Sequence, residues 1–239
     1  MPLSLEKSGV IHCGKNQPNY NYIVHGNRLP VIESMVELGV IRSANGGYDG
    51  QCAAVRAKAN KISGAIRRVF QLRDPRLLWP AFCSYVLPVL NYCSSAWSPS
   101  LIKNIKHIEQ VQRRFTKSMP NMRDLTYEER LTKLGALSPA DRRMYNDMVL
   151  TFKALHGLIN CTAEDLGLTV MQTITRGGGI RLVQRVPISR TTAALFSLRV
   201  PTAWNKLPLT ITSCRSLAGF KHQLMKHLHN NSVLPSSCT

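Results

Sequence analysis

The 239-residue chain carries 31 Lys and Arg against 13 Asp and Glu, which gives a formal net charge of +18. The charge is concentrated in two segments. Residues 51–120 hold 12 basic and 2 acidic side chains, and residues 171–239 hold 9 basic and no acidic ones. Like charges gathered in this way repel one another, so the composition favours a polyanionic partner such as nucleic acid. The alternative is a basic surface that only improves solubility.

The composition also argues against a secreted or membrane-embedded protein. The longest apolar run, residues 77–90, has 14 residues and contains two prolines, whereas a membrane-spanning helix needs about 20 apolar residues. The sequence does not open with a charged and then apolar segment, and its seven cysteines are odd in number. We therefore expect an intracellular protein, in the nucleus or the cytoplasm, with reduced cysteines and no membrane partner.

The first 50 residues favour extended structure. Residues 10–14 predict a short strand, and the run His-Gly-Asn at residues 25–27 predicts the turn of a β-hairpin between two β-prone stretches. A further short strand is expected at residues 38–41. The segment 43–50, which holds three glycines, is typical of a loop or linker.

Two amphipathic helices are predicted, over residues 51–70 and 101–119. Apolar residues recur at three- and four-residue spacing on one face of each; on the second helix they are Leu101, Ile105, Ile108, Val111, Phe115 and Met119. The opposite faces are basic, and the basic face of the second helix is about 21 Å long, enough to follow several phosphates of one strand. The candidate nucleic-acid-binding residues are Lys61, Arg67, Arg68, Lys103, Lys106, Arg113, Arg114 and Lys117.

Further helices are predicted from residue types that begin or end helices. Asp, Thr and Ser side chains accept hydrogen bonds from first-turn N–H groups, and glycine ends a helix in a left-handed conformation. The expected helices run from Asp74 toward Leu90 with interruptions at Pro80 and Pro88, from Thr126 to Gly135, from Ser138 to Gly157, and from Ser216 toward Leu228.

The C-terminal part, from residue 177, is predicted to differ in structure from the helical part before it. The run of three glycines at residues 177–179 predicts a flexible break. Residues 180–188 and 195–200 predict two strands because apolar and β-prone residues dominate them. The tail from residue 230 is expected to be disordered.

No constellation in the sequence predicts catalysis or metal binding. Nucleotidyl transfer on two metal ions needs closely placed carboxylates, but no two of the six Asp are adjacent. The acidic pairs Glu128-Glu129 and Glu164-Asp165 are better explained by helix capping and a solvated loop. His222 and His227 lie five residues apart, on different sides of a helix, and Cys214 has no second Cys at zinc-site spacing. We therefore predict no catalytic residue, no metal and no cofactor.

Several short runs, each weak alone, are specific through their order and joint presence. They include Leu-Asn-Tyr-Cys-Ser-Ser-Ala-Trp-Ser-Pro, Val-Gln-Arg-Arg-Phe-Thr-Lys, Leu-Thr-Tyr-Glu-Glu-Arg-Leu and Trp-Asn-Lys-Leu-Pro, at residues 90–99, 111–117, 125–131 and 204–208. The others lie at residues 3–7, 12–16, 18–22, 38–40, 57–68, 86–88 and 220–221. Together they resemble the reverse transcriptases of non-LTR (LINE-type, jockey-like) retrotransposons, from about residue 3 to 228.

The resemblance implies a fold and a domain order. Residues 1–48 resemble the end of the palm near the primer-grip hairpin, and residues 49–160 resemble the helical thumb, which holds template–primer duplex. Residues 161–179 are then a linker, residues 180–229 a small basic module of strands and helix, and residues 230–239 the disordered tail. The expected fold class is mainly α (α+β), with a short N-terminal hairpin, a thumb-like helical bundle and this small C-terminal module.

The palm motif that bears the catalytic aspartates in this family is expected before residue 1. The sequence therefore predicts a truncated or relic copy that is inactive as a polymerase. Its expected function is to bind RNA or RNA–DNA duplex through the basic helix faces. The alternative is an interaction protein that uses exposed apolar surface to bind a protein partner.

Overall fold

The computed structural model describes residues 4–5, 8–13, 20–70, 74–171, 179–189 and 191–231. The described chain begins with two short antiparallel hairpins and continues as a series of α-helices. The predicted fold class, mainly α with a small β part, is therefore confirmed. Within the described residues, no helix combines the length and apolarity needed to cross a membrane. The domain boundaries given above stay predictions.

The first hairpin lies where the sequence predicts it. Strand β1 (Ile23–Val24) pairs with β2 (Asn27–Arg28) through a turn at His25 and Gly26, whose φ angles are 48° and 77°. Val10 makes a single parallel bridge to Val31 beside this hairpin, so the strand predicted at residues 10–14 is reduced to one bridge in its described part. Residue 14 lies outside the described residues.

The second hairpin joins β3 (Ser34–Glu37) to β4 (Val40–Ser43). Its two turn residues, Leu38 and Gly39, have φ angles of 47° and 78°, as the tight turn of a twisted hairpin requires. The strand predicted at residues 38–41 therefore begins two residues later than expected. Leucine rarely adopts positive φ, so local propensity gave no sign of the turn.

The helices follow in chain order. They are α1 (Asp49–Val69), α2 (Pro75–Tyr85), α3 (Leu87–Asn91), α4 (Ser94–Trp97), α5 (Ile102–Lys117), α6 (Tyr127–Leu134), α7 (Pro139–Leu155), α8 (Phe196–Asn205), α9 (Leu209–Thr212) and α10 (Leu217–Asn230), and a 3₁₀ turn at Thr192–Ala194 precedes α8. The predicted N-caps are confirmed: first-turn N–H groups donate to the side chains of Asp74, Thr126, Ser138 and Ser216 over 2.8–3.3 Å. Pro80 lies inside α2 without ending it, and the break before α3 falls at Val86.

Buried side chains form two main clusters. The first comprises residues of β4, of α1 to α5 and of the loop after α5, and Phe82, Trp97 and Phe115 are its largest fully buried members. The second comprises residues of α7 to α10 together with loop residues, namely Leu137, Ala163, Leu168, Leu182 and Leu207. In it the Phe220 ring lies between Phe152 and Trp204, with centroid distances of 4.3 and 5.7 Å.

Helix α7 connects the two clusters, because it contacts α3, α4 and α5 on one side and α8 and α10 on the other. A largely buried ion pair lies where the two clusters meet. Arg199 Nη2 of α8 is 2.9 Å from Asp147 Oδ2 of α7. The same guanidinium donates over 2.7 Å to the carbonyl of Ser95 in α4. Arg199 therefore ties the C-terminal helices to both α7 and α4.

The two strands predicted in the C-terminal part are wrong. Residues 195–200 enter α8 instead, because Phe196, Val200 and Trp204 recur every four residues and place one helical face on the second cluster. Residues 180–188 contain one isolated bridge, between Leu182 and Val170, and no strand. Residues 177–178 of the predicted glycine break and most of the predicted disordered tail, residues 232–239, lie outside the described residues.

Backbone groups of residues 180 and 182 form hydrogen bonds with side chains of α8. Trp204 Nε1 donates to the carbonyl of Ile180 over 2.9 Å. The Asn205 amide accepts from the N–H of Leu182 over 3.0 Å and donates to its carbonyl over 2.7 Å. These bonds satisfy backbone groups of Ile180 and of buried Leu182, in a segment whose backbone pairing is otherwise limited to one isolated bridge.

We expect the substitution Asn205→Ala to lower the free energy of unfolding by about 2 kcal/mol, because it leaves two backbone groups of buried Leu182 without partners. Chemical denaturation followed by circular dichroism measures this loss. Asn230→Ala, at the exposed end of α10, is the matched control and should change stability by less than about 0.5 kcal/mol. Equal effects of the two substitutions would contradict the role given to Asn205.

Candidate nucleic-acid interface

Helices α1 and α5, which carry the predicted basic faces, pack against each other more extensively than any other helix pair in the described structure. On its buried side α1 presents mostly small residues, namely Cys52, Val55, Ala59, Ser63 and Ile66. The apolar buried residues of α5 are Ile108, Val111 and Phe115. Small side chains on one helix let the larger ones of its neighbour pack closely, so the contact holds both helices in place beneath their exposed faces.

The beginnings of the two helices are joined at Asp49, the first residue of α1. Its carboxylate lies 3.0 Å from Lys103 Nζ and also accepts a hydrogen bond from the Asn104 side chain. The Asn104 hydrogen bond and then Lys103 lower the pKa of Asp49. Lys103, a predicted phosphate ligand, therefore already has an acidic partner.

Glu109, the only acidic residue of α5, is turned inward, with 4% of its surface exposed. Its carboxylate accepts from the N–H of Ala140 over 2.8 Å and from the hydroxyl of Tyr127 over 3.2 Å. Burial raises the pKa of Glu109 to about 7, against the opposing effect of nearby Arg143. Glu109 therefore joins α5 to α6 and α7 and does not neutralise the basic face of its own helix.

Two further polar residues of α5 lie on the same buried side. Gln112 Nε2 donates to the carbonyl of Leu137 over 3.0 Å. Arg130 of α6 donates from Nε to Thr116 Oγ1 over 3.2 Å and from Nη1 to the carbonyl of Leu125 over 2.6 Å. Helix α5 therefore has a third, polar side besides the apolar and basic sides that its sequence predicts. The positions 109, 112 and 116 recur at helical spacing, which was the available signal.

Arg113 differs from the other predicted ligands because it is half-buried. Its guanidinium lies over the ring of Tyr127, 4.5 Å from the ring centroid, at a distance typical of a cation–π contact. The hydroxyl of that ring donates to Glu109. Arg113 therefore supports the packing of α6 on α5, and this contact was not predicted.

The remaining predicted residues are exposed. They are Lys61, Arg67 and Arg68 on α1 and Lys103, Lys106, Arg114 and Lys117 on α5. On α5, Lys106 and Lys117 lie eleven residues apart on one side, which separates them by about 16 Å along the axis. On α1, Arg68 shares a side with Lys61, whereas Arg67 lies on a neighbouring side.

Sequence reasoning overlooked Lys58. It is exposed on α1, three residues before Lys61 and thus next to it on the helix surface. Lys58 lies nearer to the apolar face of α1 than Lys61 and Arg68 do, so helical periodicity alone gave a weaker signal for it.

Most carboxylates of the described chain have structural partners. Besides Asp49 and Asp147, Asp74 pairs with Arg76 at 2.9 Å, and Asp165 accepts from Thr162. Glu129 completes the predicted capping box with Thr126. No group of three His, Cys, Asp or Glu side chains suited to a metal ion occurs among the described residues. The cysteines of the described chain are free thiols.

Comparison of the chain with protein-family models, with curated proteins and with solved structures gives no match.

The raised pKa of Glu109 predicts a pH-dependent stability. Because the folded protein holds this proton up to about pH 7 and the unfolded chain releases it near pH 4.5, stability that is present below pH 4.5 is lost as the pH rises to 7. The loss from this group is at most about 3 kcal/mol. Glu109→Gln removes the titrating group, so the variant should gain stability relative to the wild type as the pH rises from 4.5 to 8.

Denaturation curves measured at several pH values test this expectation. The control is Glu128→Gln, which makes the same substitution at an exposed glutamate of α6. Parallel stability profiles for Glu109→Gln and the wild type would show that Glu109 ionises normally in the folded protein.

Proposed function

We propose that this chain is a non-catalytic nucleic-acid-binding protein related to the C-terminal part of a non-LTR retrotransposon reverse transcriptase. It holds RNA or RNA–DNA duplex through phosphate contacts from the outer faces of α1 and α5. Such a partner would place the protein in the nucleus or the cytoplasm. The family assignment rests on the resemblance of the sequence runs given above.

The observation that carries the binding proposal is the charge arrangement of α5. Four of its cations, Lys103, Lys106, Arg114 and Lys117, are exposed, while its only carboxylate is buried. Of these four, Lys103 is the one whose ion pair with a carboxylate is described. A row of cations with few acidic neighbours attracts a sugar–phosphate backbone and gives affinity that depends on salt and little on sequence.

The absence of catalysis in this proposal is supported by the positions of the carboxylates. Asp49, Asp74 and Asp147 are held by ion pairs, and Asp141 accepts from the Ser138 hydroxyl over 2.7 Å. Each of these contacts stabilises a helix end or a helix contact. None of them brings two carboxylates together as a two-metal centre requires.

Binding of a short RNA–DNA duplex should weaken as salt rises. Removing two phosphate contacts, in the double variant Lys106→Gln/Lys117→Gln, should reduce the slope of log K against log salt by about 2. Fluorescence anisotropy at several salt concentrations measures the slope. The control is Arg123→Gln/Lys133→Gln. It removes the same charge at exposed positions within residues 121–170, which carry 6 basic and 7 acidic side chains, and it should leave the slope nearly unchanged.

Affinity that does not respond to salt would remove the phosphate-contact proposal. Equal losses in the two double variants would also count against it, because they would indicate a response to net charge alone.

A second candidate function, binding of a protein partner, is supported by apolar side chains on the N-terminal hairpins. Ile23, Val36 and Leu38 are 66%, 67% and 85% exposed, and Tyr20 and Val31 nearby are more than half exposed. Apolar surface gathered in one region of a protein is typical of an interaction site.

The turn residue Leu38 offers a test of this second candidate. Leu38→Asn should keep the hairpin, because asparagine tolerates the positive φ that leucine resists, and it removes the most exposed apolar side chain of the region. We expect unchanged or slightly higher thermal stability together with less dye-binding apolar surface and less self-association, measured by dye fluorescence and sedimentation. A wild-type protein that is already monodisperse and binds no dye would count against this function.

A further inference from the structure

A cleft of about 270 Å³ lies between the β3–β4 hairpin and α1. Its apolar walls come from Val36 and Ile41 of the hairpin, Val55 of α1 and Val89 of α3. Tyr92, which follows α3, also lines the cleft and is 54% exposed. An aromatic ring that is half exposed beside an apolar cleft offers a face on which a planar group can stack.

Hydrogen bonds between elements hold the walls of this cleft in place. Gln51 of α1 is buried and accepts from the N–H of Ile41 over 2.9 Å. The Tyr92 hydroxyl donates to the carbonyl of Leu38 over 3.0 Å. A Cβ at Gly39 would lie only 3.3 Å from Tyr92 Cε1, so glycine lets the turn rest against the ring. The hairpin and the helix therefore fix the shape of the cleft.

The charge around the cleft is positive. Lys58 is the one charged residue among those that line it within the described chain, and it is exposed. Lys61, a residue of the proposed phosphate-binding face, is its neighbour on α1. On the hairpin, Glu37 and Arg42 pair with each other at 3.1 Å, so they contribute little net charge. The apolar cleft is thus continuous with the basic face of α1.

We propose that this cleft binds one unpaired nucleobase of a single-stranded nucleic acid, stacked on Tyr92, while Lys58 contacts an adjacent phosphate. The inference rests on the proposed function and makes it more specific, because a paired base cannot leave its duplex to enter the cleft without a cost in unstacking. An apolar wall, an aromatic ring and a cation next to one another are the combination that single-strand binding proteins use.

The test measures binding of the full chain to a short single-stranded RNA that contains one 2-aminopurine, and to the corresponding blunt duplex. Tyr92→Ala removes the ring, and Ala54→Leu enlarges an exposed side chain that lines the cleft. Both should weaken single-strand binding roughly 5- to 100-fold, abolish the stacking-induced quenching of 2-aminopurine, and leave duplex binding unchanged. Tyr92→Phe keeps the ring but loses the hydrogen bond to the Leu38 carbonyl, so it should retain the quenching and lose much less affinity than Tyr92→Ala.

Two control substitutions separate stacking from charge and from aromatic content. Tyr85→Ala removes an exposed tyrosine of α2 that does not line the cleft, and it should not change single-strand affinity. Lys58→Gln should reduce the salt slope of single-strand binding by about 0.7 without affecting the quenching.

The outcomes distinguish this inference from the proposed function. If Tyr92→Ala and Ala54→Leu leave single-strand binding unchanged while Lys106→Gln/Lys117→Gln still weakens duplex binding, the cleft inference is wrong and the phosphate-binding proposal stands. Equal losses of single-strand and duplex binding also overturn the inference. If circular dichroism shows that Tyr92→Ala unfolds, Ala54→Leu decides. If the wild type binds neither nucleic acid, both proposals fail.

Discussion

The buried position of the Glu109 side chain leaves the exposed face of α5 without a carboxylate of its own. An exposed glutamate at this position would pair with the lysines and arginines around it and shorten the basic face. Instead its carboxylate accepts hydrogen bonds from the start of α7 and from the Tyr127 hydroxyl of α6, and its raised pKa reflects the cost of removing a carboxylate from water. Because α6 and α7 cover this side, the helix cannot rotate without leaving buried polar groups unpaired. The same contact that fixes the packing of three helices therefore keeps the outer face of α5 free of acidic residues.

A second buried polar group lies where the two core clusters meet. Unlike Glu109, it includes atoms that have no hydrogen-bond partner. Arg199 and Asp147 pair there, yet Oδ1 of Asp147 and Nη1 of neighbouring Arg143 have no protein hydrogen-bond partner. A buried ion pair contributes little net stability once desolvation is counted, whereas losing one partner is costly. Its bonds are directional, and they favour the position of α8 on α7 at which the guanidinium also reaches the carbonyls of Ser95 and Ala194. The C-terminal helices are positioned by directional bonds as well as by the apolar contacts of Trp204 and Phe220.

The features that the sequence predicted correctly depend on residues close together in the chain. The features that it did not predict depend on contacts between residues far apart in the chain. The limits of α5, the Thr126–Glu129 capping box and the start of α10 at Ser216 depend on residues within one or two turns, and they were predicted. Leu38 adopts a turn conformation because Tyr92, 54 residues later, holds its carbonyl. Residues 195–200 become helical because Trp204 extends their spacing into a core formed by α7 and α10. In the candidate site, exposure of the basic residues followed from helical periodicity, but Arg113 was drawn onto Tyr127 by the packing of α6, which periodicity cannot describe.

The short sequence runs and the basic helix faces contain two kinds of residue, those that hold the fold together and those on a surface that folding does not need. Trp204 and Asn205 bind backbone groups of Ile180 and Leu182, and Tyr127 and Arg130 bind α5, so these residues serve the fold itself. Lys61, Lys106, Arg114 and Lys117 are different. They are exposed, no ion pair to them is described, and their mutual repulsion slightly disfavours the compact state. Stability therefore gives no reason for placing them together on α1 and α5. A polyanionic partner gives one, since its phosphates turn that repulsion into attraction.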